Sequence, residues 1–415
     1  MTAAAEPPAP ADFRPARIVV ADLEQLPSLE PGRTPQGLAY ADAWVLVRSG
    51  GRPLGLLRVD LTQGPVPADR LRELAVARWP EPVPALVSGA AAVSVVVPTC
   101  RRPDDAERCV ASVLATGYPR LQVLVVDNAP DDPRTAQRIA EVFRDEPRVE
   151  YHAEPVPGAS RARNRGIAAA TGDVIAFVDD DIAVDRLWVA ALAGAFAEHP
   201  DVACVTGLVL PLAVDTPVHW WFEAYGGFDR GYQRRLFDLR DHRGETLLYP
   251  YTAGALGGLG NAAFRRTALT GDRPFGVTLG PGTPAFGAED QDALLRVLRS
   301  GGSVLYEPAA IVQHRHRDSY ADLRWQVFTY GAGFVAALTH WSLHEKGVLR
   351  DLATRVPPLI PAAFGARNGP GPAQDPALPD ELRRLERLGY LYGPVAYARA
   401  VLARRRQDAR ERRTP

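Results

Sequence analysis

From Val93 onward, short β-branched apolar runs alternate with amphipathic stretches: VSVVVP, DDAERCVASVLA, LQVLVVD, PRTAQRIAEVFRD, VEYH, ASRARNRGIAAA and DVIAFVDDD. No other feature restricts the fold so tightly. Continuous Val/Ile runs signal strands buried on both faces, and helical segments between them act as right-handed crossovers joining parallel strands. The expected fold is therefore α/β, a doubly wound and mostly parallel sheet. Such sheets bind ligands beyond the carboxyl ends of their strands. The residues at those ends are Pro98-Thr99-Cys100-Arg101, Asp127-Asn128 and Asp179-Asp180-Asp181, so three strand ends are polar and mostly acidic.

No G-x-G-x-x-G follows the first run and no G-x-x-x-x-G-K-[ST] occurs, which argues against a dinucleotide enzyme and a P-loop NTPase. Three consecutive carboxylates raise one another's pKa unless a cation compensates them. Hard oxygen donors suit magnesium or manganese, which bridge protein carboxylates and substrate phosphates. In extended backbone Asp179 and Asp181 would face one way and Asp180 the other. The same triplet also reads as a capped turn, since Asp before a helix is common. GAEDQDALLRVLRSGG reads as a helix whose Ala293, Leu294, Val297 and Leu298 face the core, and Glu289 and Asp290 complement its dipole as readily as they serve chemistry. SVLYEPAAIVQHRHRDS reads as a strand run ending in His314 and His316, on one face if extended: a metal-ligand pair or a solvated one. The glycine-rich AGALGGLGNAAFRR offers either close backbone approach or turn geometry. Aromatics in HWWFEAYGGFDRGYQRRLF suit a sugar-stacking wall or a core.

In this order, VSVVVPTCRRP, LQVLVVDNAPDD, PGASRARNRGIAAATGDVIAFVDDD, GLGNAAFRR, GAEDQDALLRV and VQHRHR closely resemble the family 2 glycosyltransferases, over about Val93 to Trp341. The resemblance implies a GT-A fold, a nucleoside-diphosphate sugar donor, a divalent cation (Mg2+ or Mn2+) and usually inversion at the anomeric carbon. It makes Pro98, Thr99 and Arg101 the start of a nucleotide pocket, Asp127 the carboxylate that hydrogen-bonds the base, and Arg163 the nucleotide-proximal arginine. Asp179, Asp180 and Asp181 resemble a DxD-type motif, with Asp181 the metal ligand. Asp290 resembles the general base and Glu289 its partner, while His314, with His316 as second choice, resembles an extra metal ligand. Asn261 would lie by the donor sugar and acceptor. Two other readings stay open at this point: a GT-A mutase or isomerase that rearranges a nucleotide sugar, and a non-catalytic nucleotide-sugar-binding protein.

A chain of 415 residues exceeds one domain. We expect a disordered Ala/Pro-rich tail (1–16), a small α+β accessory domain (17–79), a Pro-rich linker (80–92), the GT-A domain (93–341) and a helical C-terminal extension (342–415). In the accessory domain AWVLVRSGGRPLGLLRVDL reads as two strands around a turn and PADRLRELAVARW as a helix. Such a domain serves to bind acceptor, to form a homo-oligomer, or to cover a sheet edge. The basic end of the C-terminal helix suits either anionic lipid or solvent. A formal net charge of −1 gives no drive toward nucleic acid. Three cysteines are too few for a disulfide framework, and neither a signal-like start nor an apolar run of roughly 20 residues occurs. The expected location is cytoplasmic, peripheral at the inner membrane face at most, with one sugar passed to a small molecule, a lipid-linked glycan or a peptide-derived product.

Overall fold

Regular structure begins at Ala16, slightly earlier than the Ala/Pro-rich composition suggests. The computed structural model describes residues 7–10, 12–81, 83–269, 271, 274–360 and 378–411; positions 1–6 and 11 of the expected tail lie outside the described residues. Phe13 packs edge-on against Trp220, with ring centroids 6.5 Å apart, and Arg14 pairs with Asp42 at 2.6 Å. Strands β1 (Ala16–Asp22), β2 (Asp42–Ser49) and β3 (Arg52–Asp60) form a separate sheet in that order. Gly50 and Gly51 join β2 to β3 with φ of 56° and 81°, the left-handed pair that a two-residue hairpin turn demands. Helix α1 (Ala68–Arg78) buries Leu71 and Ala75 in a core shared with Leu29, Val45, Val47 and Leu57.

Ion pairs fasten this sheet to the rest. Arg48, 3% exposed, binds Asp22 at 2.6 Å and Asp185 at 2.7 Å, and Arg52 reaches Glu198 at 3.2 Å. The expected linker, 80–92, is described except at position 82 and is tied down at several points: the Leu86 amide donates to Gly50 O, and the Tyr118 hydroxyl lies within hydrogen-bond reach of the carbonyls of Gly89 and Ala91.

Among the described residues the larger sheet has nine strands. Its first half is β4 (Val93–Thr99), α2 (Pro103–Leu114), β5 (Leu121–Asp127), α3 (Arg134–Val142), β6 (Val149–Ala153), α4 (Ala159–Ala169) and β7 (Val174–Phe177). Strands β6, β5, β4 and β7 pair parallel in that order. Val95, Val96, Val97, Val123, Val125 and Ile175 are fully buried, which is why their runs lack a polar alternation. Because the chain moves outward from β4 through β5 to β6 and then returns to place β7 on the other side, a switch point opens at the ends of β4 and β7.

The second half adds β8 (Ile182–Val184), α5 (Trp188–Glu198), β9 (Val202–Pro211), α6 (Pro217–Tyr225), β10 (Arg235–Phe237), β11 (Ala262–Arg265), α7 (Glu289–Arg299) and β12 (Ser303–His314). Antiparallel β11 lies between β7 and β9, β12 runs parallel to β9, and β10 and β8 pair antiparallel with β12. The expected doubly wound sheet is thus present, with short antiparallel strands inserted beyond β7.

Helices α8 (Tyr320–His344), α9 (Val348–Arg355) and α10 (Asp380–Glu411) follow among the described residues, positions 361–377 and 412–415 of the expected C-terminal extension lying outside them. Contacts of Tyr320 with Glu381 and His340 with Tyr397 show that α8 and α10 run parallel. Glycines let them approach: a Cβ at Gly389 would lie 2.3 Å from Phe328 O, and one at Gly331 2.5 Å from Glu386 O. Among the described residues no helix is long and apolar enough to cross a membrane.

Candidate active site

The acidic triplet follows β7 and faces a cavity of about 1930 Å³ at the switch point. Asp180 turns back to the neighbouring strand end, where its Oδ2 accepts from the Thr99 hydroxyl at 2.8 Å and its Oδ1 from Arg102 at 3.2 Å. Asp181 also accepts from Arg102 at 3.2 Å and lies 3.5 Å from Nε2 of His314. One guanidinium does not compensate this crowding. Burial, then the charges of Asp179 and Asp180, push the Asp181 carboxyl up to about 7.

Arg163, projecting from α4 and almost fully buried, donates to Asp179 at 2.9 Å and to Glu289 at 2.7 Å. It therefore ties the triplet to the first turn of α7. The neighbouring Asp290 accepts from the Gln291 amide at 2.7 Å and opens onto the same cavity. Burial, followed by the like charge of Glu289, raises the Asp290 carboxyl above the ordinary carboxylate range.

Glycines give the two carboxylate groups their clearance. A Cβ at Gly258 would lie 3.3 Å from Oδ2 of Asp290, and one at Gly260 would lie 3.0 Å from Oδ2 of Asp179. Gly257 has φ of 130° and presses on Thr206, which a Cβ would approach to 2.5 Å. Asn261 supports this loop from beneath: its Oδ1 accepts from Trp188 Nε1 at 2.8 Å, and its Nδ2 donates to the carbonyls of Leu208 and Ala310 at 3.0 and 2.8 Å. Both hydrogens of its Nδ2 are engaged within the protein, and the residue itself lines the cavity.

The two histidines differ in their surroundings. His316 Nε2 lies 2.7 Å from Glu223 Oε1, and its Nδ1 lies 3.2 Å from Nδ1 of His314. A carboxylate only accepts, so Nε2 of His316 donates to Glu223; with its Nδ1 then accepting from His314, Nε2 of His314 would keep a lone pair toward Asp181. Burial first, then His316 and nearby arginines, hold His314 neutral with a pKa of about 3. A carboxylate beside a neutral imidazole is a donor set for a divalent cation. Among the described residues no three His, Cys, Asp or Glu side chains converge on a ready-made metal group. Two protein donors still fit Mg2+ or Mn2+, because such ions commonly complete their shell with substrate phosphate and water.

Pro98 and Thr99 line the cavity as expected, but the position expected for Arg101 is taken by Arg102. The backbone of Arg101 has φ of 58°, and its guanidinium pairs with Asp131 at 2.7 Å. Asp127 is fully buried, accepting from the Ala129 amide at 2.9 Å and from the Tyr151 hydroxyl at 3.0 Å, and the adjacent Asn128 lines the cavity instead. Of the aromatics in and after α6, Phe222, Tyr225 and Phe228 face the cavity while Trp221 packs on Tyr320 in the core. Arg102 and Glu223 were not anticipated. Arg102 adjoins a residue that was, whereas Glu223 carries no sequence signal.

Residues 94–254 match the family described as glycosyl transferase family 2. The chain is 30% identical over 241 residues to the succinoglycan biosynthesis protein ExoM of Rhizobium meliloti, covering 56% of this chain and 70% of that protein. It is 28% identical over 251 residues to the pre-mycofactocin glycosyltransferase of Mycobacterium tuberculosis, covering 60% of this chain but 48% of the relative, so it spans about half that protein's length. Among solved structures, the mannosyltransferase PcManGT from Pyrobaculum calidifontis, in complex with GDP-Man and Mn2+, aligns with a TM-score of 0.45 and 18% identity over 82% of each chain.

Proposed function

The chain belongs to glycosyl transferase family 2, and on that premise we propose that it transfers one sugar from a nucleoside-diphosphate donor to an acceptor hydroxyl, with inversion. Arg163 carries this reading: by holding Asp179 and Glu289 together it sets the acidic triplet and Asp290 on two walls of one cleft. Pro98, Thr99 and Asn128 line the nucleotide side, and Arg102 adds positive charge where phosphates would lie. Asp181 and His314 would hold Mg2+ or Mn2+, which when bound would offset the charge developing on the leaving diphosphate. His316 and Glu223 keep the His314 lone pair aimed at that place.

Asp290 takes the proton of the acceptor hydroxyl as it attacks. Its raised carboxyl makes it a stronger base near neutrality than an exposed aspartate. With Asp290 as base on α7 and the leaving diphosphate held at the acidic triplet, a single displacement would invert the anomeric carbon and need no covalent intermediate.

Titration calorimetry with UDP, GDP and TDP, with and without Mn2+, tests the donor site. One of the three should bind roughly tenfold or more tightly with the cation; absence of binding by all three in both conditions would sink the reading. A pH profile tests the base. Activity in kcat/KM should rise with pH as Asp290 ionises, and Glu289→Gln should move that limb to lower pH, because removing a like charge eases loss of the proton. An unmoved limb would remove Glu289 from this role.

A further inference from the structure

We propose that the outward face of α10 docks on an anionic lipid bilayer beside the mouth of the cleft. Between Arg384 and Arg410 every exposed residue of this helix is either an arginine or apolar. Leu388, Leu391, Val395 and Leu402 are 54%, 67%, 50% and 53% exposed, and their spacing of three, four and seven residues places them in one stripe. Arg384 stands at one end of that stripe, Arg399 along it, and Arg405 and Arg406 at the other end.

Apart from Asp380 at its start, exposed and 3.7 Å from Arg383, the acidic side chains of α10 are drawn elsewhere. Glu381 pairs with Arg324 at 2.7 Å, Glu386 accepts from Tyr225 and Tyr390 at 2.6 and 2.8 Å, and Glu411 pairs with Arg161 at 3.2 Å. Asp408 lies 3.7 Å from Arg404. What faces outward is an apolar stripe edged by positive charge, the pattern of a helix lying in a headgroup layer with arginine stems reaching up beside it. A second copy of the chain fits less well: self-pairing through this stripe would bring Arg384, Arg399, Arg405 and Arg406 of each copy together with only Asp380 at the stripe's end to offset them.

The position of the stripe gives the docking a use. Arg383, Glu386, Arg387 and Tyr390, on adjoining positions of the same turns, line the cleft. A bilayer seated on the stripe would lie next to that opening, where a lipid-linked acceptor could enter. Docking itself requires no turnover, so it stands or falls separately from the reaction proposed above.

Co-sedimentation of the full chain with vesicles decides the matter. Vesicles of equal parts phosphatidylcholine and phosphatidylglycerol should retain the protein, phosphatidylcholine alone should not, and added salt should release it. One arginine near such a surface contributes about fivefold to partitioning, so Arg405→Gln combined with Arg406→Gln should lower it roughly thirtyfold. Leu391→Gln should lower it as well, through lost apolar insertion. These positions are exposed, and each variant should keep the wild-type melting temperature and nucleoside-diphosphate affinity. Equal retention on neutral vesicles, or retention indifferent to both variants, would overturn the proposal. So would a dimer, seen by light scattering, that Leu391→Gln dissociates.

Discussion

Asp290→Asn is expected to lower the rate of sugar transfer by about a hundredfold to ten-thousandfold, the usual worth of a positioned general base, while leaving donor affinity nearly unchanged. The separation follows from geometry. Asp290 stands on the α7 wall, and its carboxylate meets the acceptor's proton only as the reaction proceeds, so its loss is a transition-state loss. Asparagine keeps the shape and still accepts from the Gln291 amide through its side-chain oxygen, which guards against a trivial folding defect. Single-turnover transfer and calorimetry on the same preparation measure the two effects. Equal loss of donor binding and of transfer would place Asp290 on the donor side and overturn its assignment as base.

Asp181→Asn should behave oppositely. Removing the carboxylate should cost more than about a hundredfold in kcat/KM, since a cation at this point contributes several kcal/mol of charge stabilisation, and donor binding should lose its response to Mn2+. Stability without the cation should not fall. Raised from 3.8 to about 7 by burial and its two acidic neighbours, the Asp181 carboxyl holds its proton in the folded chain over a range where the unfolded chain has lost it. Folding therefore loses stability as pH rises through that window, and above it the ionised buried group is a standing cost that asparagine lacks. At pH 8 the cation-free variant should melt as high as the wild type or higher. Mn2+ should raise the melting temperature of the wild type alone. A variant that still responds fully to Mn2+ would move the cation away from Asp181.

Much of the fold could be read in advance because its information is local. The runs forming β4, β5 and β7 announce themselves by composition, and the polar residues that end them are the ones the switch point gathers. Three-residue strands such as β8 and β10 carry no periodicity and exist only because β12 offers an edge. Choosing between Arg101 and Arg102 depended on one left-handed residue, which no neighbouring glycine foretold. Asn261, in the segment expected to face the donor, lines the cavity, but the bonds that fix its amide go to Trp188, Leu208 and Ala310, all distant in sequence. The histidine pair was visible as a pair; which ring keeps its lone pair for the site depends on Glu223, 93 residues before His316. The amphipathic character of α10 was legible, but its outward face became definite only through the glycine-mediated contact with α8.

The tight glycine loop also bears on how such an enzyme can diverge. Gly257, Gly258 and Gly260 each stand where a single added carbon would crowd Thr206, Asp290 or Asp179, so heritable variation at these three positions is penalised before it can alter substrate choice. The wall formed by Trp325, Gln326, Thr329 and Tyr330 of α8 and by Arg383 and Arg387 of α10 has no glycine at these positions and is built of side chains that line the cavity. Lineages descended from this chain, or libraries selected in the laboratory, would therefore exchange acceptors by rewriting the helical wall while the glycine loop stays frozen.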